Sequence, residues 1–333
     1  ICVSTDENGN FELLCNNEGG FELIASYIGY EPARINIFLK SDSTYSINFK
    51  LIERINQLDQ VVITAKRDKK WKKDLEKFKQ YFLGESKVSQ KCDILNPEVL
   101  YFDHNDLTFR AYARGPLIIE NKYLGYKISY DLLSFLYIKK LERIIYKGHV
   151  RYEELESIHA SKSVKLRRFK AYQGSLMHML RSIVRDDVDG SDFVYYQEKG
   201  EFSDIQLYPK RNLTAINSEI FTRKNKNTEE NGRNYLTFDG FIRVEYLPRT
   251  STEVMGSNFV VFPETSWINI NRKSVEFTDA GGVVRPLELI EYGALADQRF
   301  GTSLPLDYEP IGSKVSKEKS EMEIGRASCR ERV

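Results

Sequence analysis

The residues best able to carry metal chemistry are four histidines, His104, His149, His159 and His178. A zinc peptidase needs His and Glu at ligand spacing, a further ligand and a general base. None of the four opens a His-x-x-Glu or His-Glu-x-x-His pattern, and His149 with Glu153 is a chance spacing near a turn. Cys2, Cys15 and Cys92 show no Cys-x-x-Cys spacing, so they indicate neither a zinc site nor a disulfide framework. Cys2 and Cys15 flank one predicted hairpin, which leaves a bridge open; the plainer reading is small, buried strand residues. Asp103, Asp106 and Glu120 could share one sheet and supply the two carboxylates of a glycosidase, but carboxylates are common on exposed sheet faces. Asp186-Asp-Val-Asp-Gly190 is half of a calcium loop without the later ligands or the closing Glu, so it reads as a helix-ending turn. Tyr195, Tyr196 and Trp267 could stack on a glycan, and we read them as core. The chain carries no P-loop, dinucleotide glycine pattern, Gly-x-Ser-x-Gly elbow or kinase signature. The expected catalytic, cofactor-binding and metal residues are therefore none, and no cofactor is implied.

The elements that would position such groups are mostly strands. Aromatics make up 12% of 333 residues, led by Tyr and Phe, and many short runs alternate, which favours β structure. Lys+Arg number 49 against Asp+Glu 48, so a global basic field for nucleic acid is absent. No run approaches the roughly 18 apolar residues that a spanning helix needs. The last eleven residues, 323–333, resemble the translation of a sequencing adapter; setting them aside leaves basic and acidic side chains equal in number. The chain opens on Ile1, inside a strand-like run, so a preceding segment with any signal peptide is expected to be missing.

Residues 1–65 read as short strands around turns. Asn8-Gly9 supplies a tight turn and 16–20 a second. Strands are predicted at 11–14, 21–27, 35–39, 45–51 and 61–63. Residues 66–91 change texture. Trp71, Leu75, Phe78 and Phe82 recur at helical spacing on a lysine-rich background, and Gly84 ends the run. Such a helix could lie on an anionic membrane through 66–83, or dock on the next domain with its lysines in solvent; docking is the reading adopted. From 92 to 312 the pattern is an antiparallel meander, with 141–153 pairing against 126–137 across Lys147-Gly148. A second helix is predicted over 163–184. Lys165, Arg167, Arg168 and Lys170 sit at its start, the wrong end for the helix dipole, which suggests an anion or partner there or simply a solvated face. His178 on this helix reads as a packed side chain. Further strands are predicted at 193–196, 205–208, 235–238, 241–246, 258–262, 266–270 and 274–277. A charged loop is expected over 223–233, a hairpin at Gly281-Gly282 and a polar tail over 313–333.

Thr5-Asp-x-x-Gly9-x-Phe11, Ala25-Ser-Tyr-Ile-Gly-Tyr30 and Leu58-Asp-Gln-Val-Val-Ile63, as an ordered set, resemble the carboxypeptidase-like regulatory domain of Bacteroidota. Pro116 through Tyr130 resembles the segment that comes after this module in a group of uncharacterised Bacteroidota proteins. The resemblance implies a transthyretin-like β-sandwich over 1–65, here with its first strand missing. It also implies an exported protein of the periplasm or outer membrane. In its namesake peptidases the module accompanies a zinc catalytic domain, which this sequence does not match.

The expected fold is therefore mainly β, α+β overall. A truncated transthyretin-like sandwich precedes a larger antiparallel β domain with two amphipathic helices. The expected function is a non-catalytic cell-envelope accessory protein, with an envelope protein or glycan as partner and no nucleic acid, in which the sandwich docks or spaces the second domain. One alternative is a glycan- or peptide-processing enzyme with its site in 92–310. Another is the N-terminal part of a TonB-dependent outer-membrane receptor.

Overall fold

A computed structural model describes residues 3, 5–14, 19–25, 27, 30–31, 33–40, 43–53, 69–155, 161–185, 192–198, 214–224, 233–247 and 263–310. The expectations at Cys2, Cys15, 16–18, 58–68, His159, 186–190, 205–208, 258–262 and the tail lie outside these residues. The architecture is mainly β, and the ladders among the described residues are antiparallel. At the Asn8-Gly9 turn the Asp6 carboxylate accepts from the backbone N–H groups of Asn8 (2.9 Å) and Asn10 (2.7 Å) and from the Asn10 side chain (3.0 Å). Those bonds, led by the Asn10 side chain, hold its carboxyl below the ordinary aspartate value. Strand β1 (Gly19–Ala25) then skips over β2 (Tyr30–Glu31) to pair with β3 (Ala33–Leu39), while β2 pairs with β4 (Ile52–Glu53). Residues 11–14 and 45–51, predicted as strands, carry no ladder. Their apolar side chains meet without pairing, with the Phe11 and Phe49 rings 6.3 Å apart.

Helix α1 (Lys69–Leu83) stops before Gly84, as its spacing predicts. It lies on a six-stranded sheet built from β5 (Cys92–Ile94), β6 (Leu100–His104), β7 (Thr108–Ala113), β8 (Leu117–Asn121), β9 (Tyr126–Ile138) and β10 (Arg143–Glu154). Strand β9 is the spine. One edge pairs with β10 along its length; the other is shared end to end by β8, against Tyr126–Tyr130, and by β7, against 135–138. The sheet therefore forks, and α1 covers its inner face. Phe78 and Phe82 are fully buried there. Phe78 packs on Phe102 and Phe135, and Phe82 on Tyr130, Tyr146 and Phe300. Each contributes about 2–3 kcal/mol by apolar burial. Two polar contacts pin the helix: Trp71 Nε1–H donates to the Leu100 carbonyl (3.1 Å), and Asp74 meets His104 Nε2 (3.2 Å). The apolar stripe weighed for a membrane surface is thus inside the protein, and only the lysine face remains outside. Lys147-Gly148, a predicted crossing point, is a bulge within the β9–β10 pair, and the chain reverses at Lys139–Leu141.

The helix predicted over 163–184 is two helices, α2 (Lys162–Tyr172) and α3 (Leu176–Val184). Gly174 takes φ +69°, open to glycine and unfavourable for other residues, and Ser175 restarts the chain as N-cap, its Oγ accepting from the His178 N–H at 3.1 Å. Two further sheets come next. One has the order β11 (Phe193–Glu198), β14 (Phe241–Tyr246), β15 (Glu264–Ile270), β17 (Leu289–Gly293); the other is β12 (Thr222–Lys224), β13 (Arg233–Leu236), β16 (Val275–Thr278). Arg223, Lys224 and Arg233, expected in a loop, lie in the paired strands β12 and β13, because β13 offers a ladder to β12 on one edge and takes one from β16 on the other. Met179, Leu180 and Ile183 of α3 pack into a second core with Ile242, Ile268 and Phe277. After β17, the one-turn helix α4 (Ala294–Asp297) puts Leu295 in that second core; Phe300 and Leu304 then return to the first. No helix among the described residues is long and apolar enough to cross a membrane.

Candidate functional site

The carboxylates considered for hydrolysis do not converge. Asp103 faces Arg110 across the β6–β7 ladder (3.9 Å), and Glu120 lies 3.1 Å from Lys122. Strands β6 and β8, which bear them, are separated by β7 and β9, and Asp106 stands exposed in the β6–β7 turn. Of the basic cluster at the start of α2, Lys165 and Lys170 are exposed and the two arginines pack inward. Arg168 is buried, donates to the carbonyls of Leu124 (2.7 Å) and Gly125 (3.2 Å), pairs with Glu154 (2.6 Å) and lies over the Tyr126 ring. Arg167 lies over Tyr123. Tyr195 and Trp267 are buried, and Tyr196 lies under the Arg243 guanidinium at 4.2 Å. Trp267 Nε1–H donates to Glu198 (3.3 Å), which also pairs with Arg243 (3.5 Å), so this indole is committed inside the fold. The Cys92 thiol is buried and free, and burial pushes it up to about 12. Among the described residues no group of three or more His, Cys, Asp and Glu side chains is placed to hold a metal ion.

His178 is packed, as read from the sequence. Its ring lies against Tyr172, Phe193 and Tyr246, and Nδ1 accepts from the Gly174 N–H at 3.2 Å. Burial, and then the charges of Arg185 and Arg181, pull it down to about 4, so the imidazole is neutral with its proton on Nε2.

Two places bring distant charged side chains together. The first lies on the β9–β10 pair. Asp131 and His149 face each other across the ladder, with His149 Nδ1 3.8 Å from the carboxylate. Arg34, from β3 of the N-terminal module, reaches His149 Nε2 at 2.6 Å. A guanidinium has only donors, so Nε2 is the acceptor, while Nδ1 faces the Asp131 carboxylate at 3.8 Å without a hydrogen bond. The Arg34–His149 hydrogen bond joins residues 115 positions apart and links β3 of the module to the sheet. No local pattern in the sequence marks Arg34 or Asp131 as partners of His149.

The second place is the seam between the two cores. Glu291, on edge strand β17, is held near neutrality: burial raises its carboxyl to about 7, and Arg299 opposes the rise. Tyr146 of β10 lies within electrostatic reach of both and is itself pushed up to about 12, chiefly by burial. A carboxyl poised near 7 is able to exchange a proton. Its charged neighbour is a cation, so the arrangement is not the carboxylate pair of a glycosidase. The depression nearby, lined by Arg272, Lys273, Ser274, Arg285 and Glu288, is shallow and open, and Glu288 already pairs with Arg272 (3.0 Å) and Arg285 (3.4 Å).

These features define a mainly β protein built from antiparallel sheets. The family model of the CarboxypepD_reg-like domain matches residues 2–63, a general β-sandwich module. No curated protein and no solved structure matches the chain.

Proposed function

We propose that the chain is a non-catalytic accessory protein of the cell envelope, in which the N-terminal module docks on the α1-covered sheet and fixes the second unit relative to a partner. The observation that carries this reading is the Arg34–His149 hydrogen bond, which joins β3 of the module to the β9–β10 pair. The match of residues 2–63 to a regulatory-type module, and the absence of peptidase ligand spacing in the sequence, support it. The compartment rests on the resemblance to the module of exported Bacteroidota proteins.

Docking is tested by limited proteolysis of the chain and of Arg34→Glu between the module and α1. The variant places two carboxylates around His149 and removes the donor; faster release of the module is expected. Equal rates of release would discard the docking role. The compartment is tested by fractionating the native cell into cytoplasm, periplasm and outer membrane. Recovery in the envelope is expected, and recovery only in the cytoplasm would overturn the assignment.

A further inference from the structure

One end of the six-stranded sheet presents two leucines to solvent. The β6–β7 turn (105–107) and the β9–β10 turn (Lys139–Leu141) are side by side there, since Thr108 pairs with Ile138 and the Lys139 N–H donates to the Leu107 carbonyl at 3.0 Å. Both turns are held from within. The Asn105 side chain accepts from the N–H groups of Leu107 (2.9 Å) and Thr108 (2.8 Å), and the Lys139 ammonium donates to the Asn105 carbonyl. Leu107 is 67% and Leu141 63% exposed, so neither side chain serves the core. A single exposed leucine needs no explanation; two on adjacent, internally braced tips form one apolar feature.

The charge around the tips has one predominant sign. Lys139 and Lys140 are exposed beside Leu141. Helix α1 is fixed to the same end through Asp74 and His104, the residue preceding Asn105, and it turns Lys69, Lys70, Lys72, Lys73 and Lys77 to solvent. Against these stand the exposed Glu76, Asp106 and Glu142. Lys69, Lys70, Lys72 and Lys73 lie at the start of α1, where the helix dipole disfavours them, whereas Lys77 pairs with Asp74 at 3.9 Å.

We propose that this end of the sheet binds an anionic lipid surface. Leu107 and Leu141 enter the headgroup boundary, while the lysines of α1 and Lys140 of the β9–β10 turn face the lipid phosphates. A soluble polyanion would use the lysines and leave the leucines in water; a bilayer satisfies both. The proposal is independent of the docking of the module.

The test is flotation of the purified full chain with vesicles of phosphatidylcholine alone and of phosphatidylcholine mixed equally with phosphatidylglycerol. Binding is expected only to the mixed vesicles, and it should weaken with salt. Lys73→Gln with Lys140→Gln should weaken it about fivefold per lysine, and Leu107→Ser with Leu141→Ser at least about tenfold. Leu141→Trp adds a readout that does not depend on those variants, a blue shift of its emission on the mixed vesicles. Absence of flotation, absence of the shift, or binding that the leucine variant keeps in full would overturn the proposal. So would a concentration-dependent dimer that the leucine variant abolishes, since the tips would then belong to a second copy of the chain.

Discussion

At the scale of single residues, two partly buried groups give the chain opposing pH dependences. Folded His178 titrates near 4 against an ordinary 6.5. The unfolded chain binds a proton over that interval and the folded chain does not, so stability falls as pH drops from about 6.5 toward 4. The full effect is on the order of 3 kcal/mol. Glu291 has the opposite sign: its folded carboxyl keeps a proton up to about 7 against 4.5, so stability falls as pH rises through that interval. Where the intervals overlap, the two slopes oppose each other, and the wild-type profile should be flatter than that of either variant. His178→Asn should remove the acid-side loss, and Glu291→Gln should raise Tm at about pH 8 while leaving it little changed at about pH 4. Thermal denaturation across pH reads both from the slope, which is insensitive to packing lost in the variants. Parallel profiles for wild type and both variants would show that neither group is held as described.

At the scale of elements, the bulge in the β9–β10 pair decides which side chains face the core. Along β9 the buried positions are Tyr126, Ile128, Tyr130 and Leu132, then Phe135. The register shift opposite Lys147 and Gly148 inserts one residue and changes the parity, so both halves of the strand present apolar side chains to α1. A Cβ at Gly148 would meet the Tyr130 ring and the Asp131 carbonyl. Gly148→Ala should therefore cost about 1–3 kcal/mol, and it should also loosen the Asp131–His149 pairing. Phe82→Ala, by leaving a cavity under α1, should cost about 3–5 kcal/mol. Urea unfolding checks both; a Phe82 variant as stable as wild type would mean that α1 is not part of this core. The helix period of Trp71, Leu75, Phe78 and Phe82 and the alternation in β9 were legible in the sequence because each repeats over several turns or pairs. The break at Gly174 was not, because the apolar spacing of 169–183 continues across it and only the Gly-Ser cap interrupts the backbone. Strand β17 escaped because its apolar pattern is short and its burial comes from β15. The contact of Arg34 with His149 and the burial of Glu291 were beyond reach of the sequence, since each is created by distant segments meeting.

At the scale of the whole molecule, the segment after β17 binds the two cores of 69–310 to each other. Leu295 sits in the core of α3 and the later sheets, whereas Phe300 stacks on Phe82 at 4.7 Å and meets Tyr130 at 4.8 Å in the core under α1. Asn121 donates to the Gly301 carbonyl (2.9 Å), and Tyr152 and Ser303 share a hydroxyl contact at 2.7 Å. The chain then returns to α3, where the buried Arg181 donates to the carbonyls of Leu306 (2.8 Å) and Tyr308 (2.7 Å) and to that of Ala280 (2.9 Å). With one segment anchored in both cores, neither can open without stripping contacts from the other, so the two should unfold in one transition. The two tryptophans report them separately, Trp71 from the first core and Trp267 from the sheet of the second. In Trp71→Phe and Trp267→Phe, each with a single remaining indole, fluorescence should give the same denaturant midpoint once each curve is corrected for the stability of its own variant. Adding Phe300→Ala removes the ring that stacks on Phe82, lowers the Trp71-reported midpoint, and should separate it from the Trp267-reported one. Separate midpoints already in the parent pair would mean that the two cores fold independently and that the terminal segment only lies across them; coincidence that persists with Phe300→Ala would place the coupling in the α2–α3 junction instead.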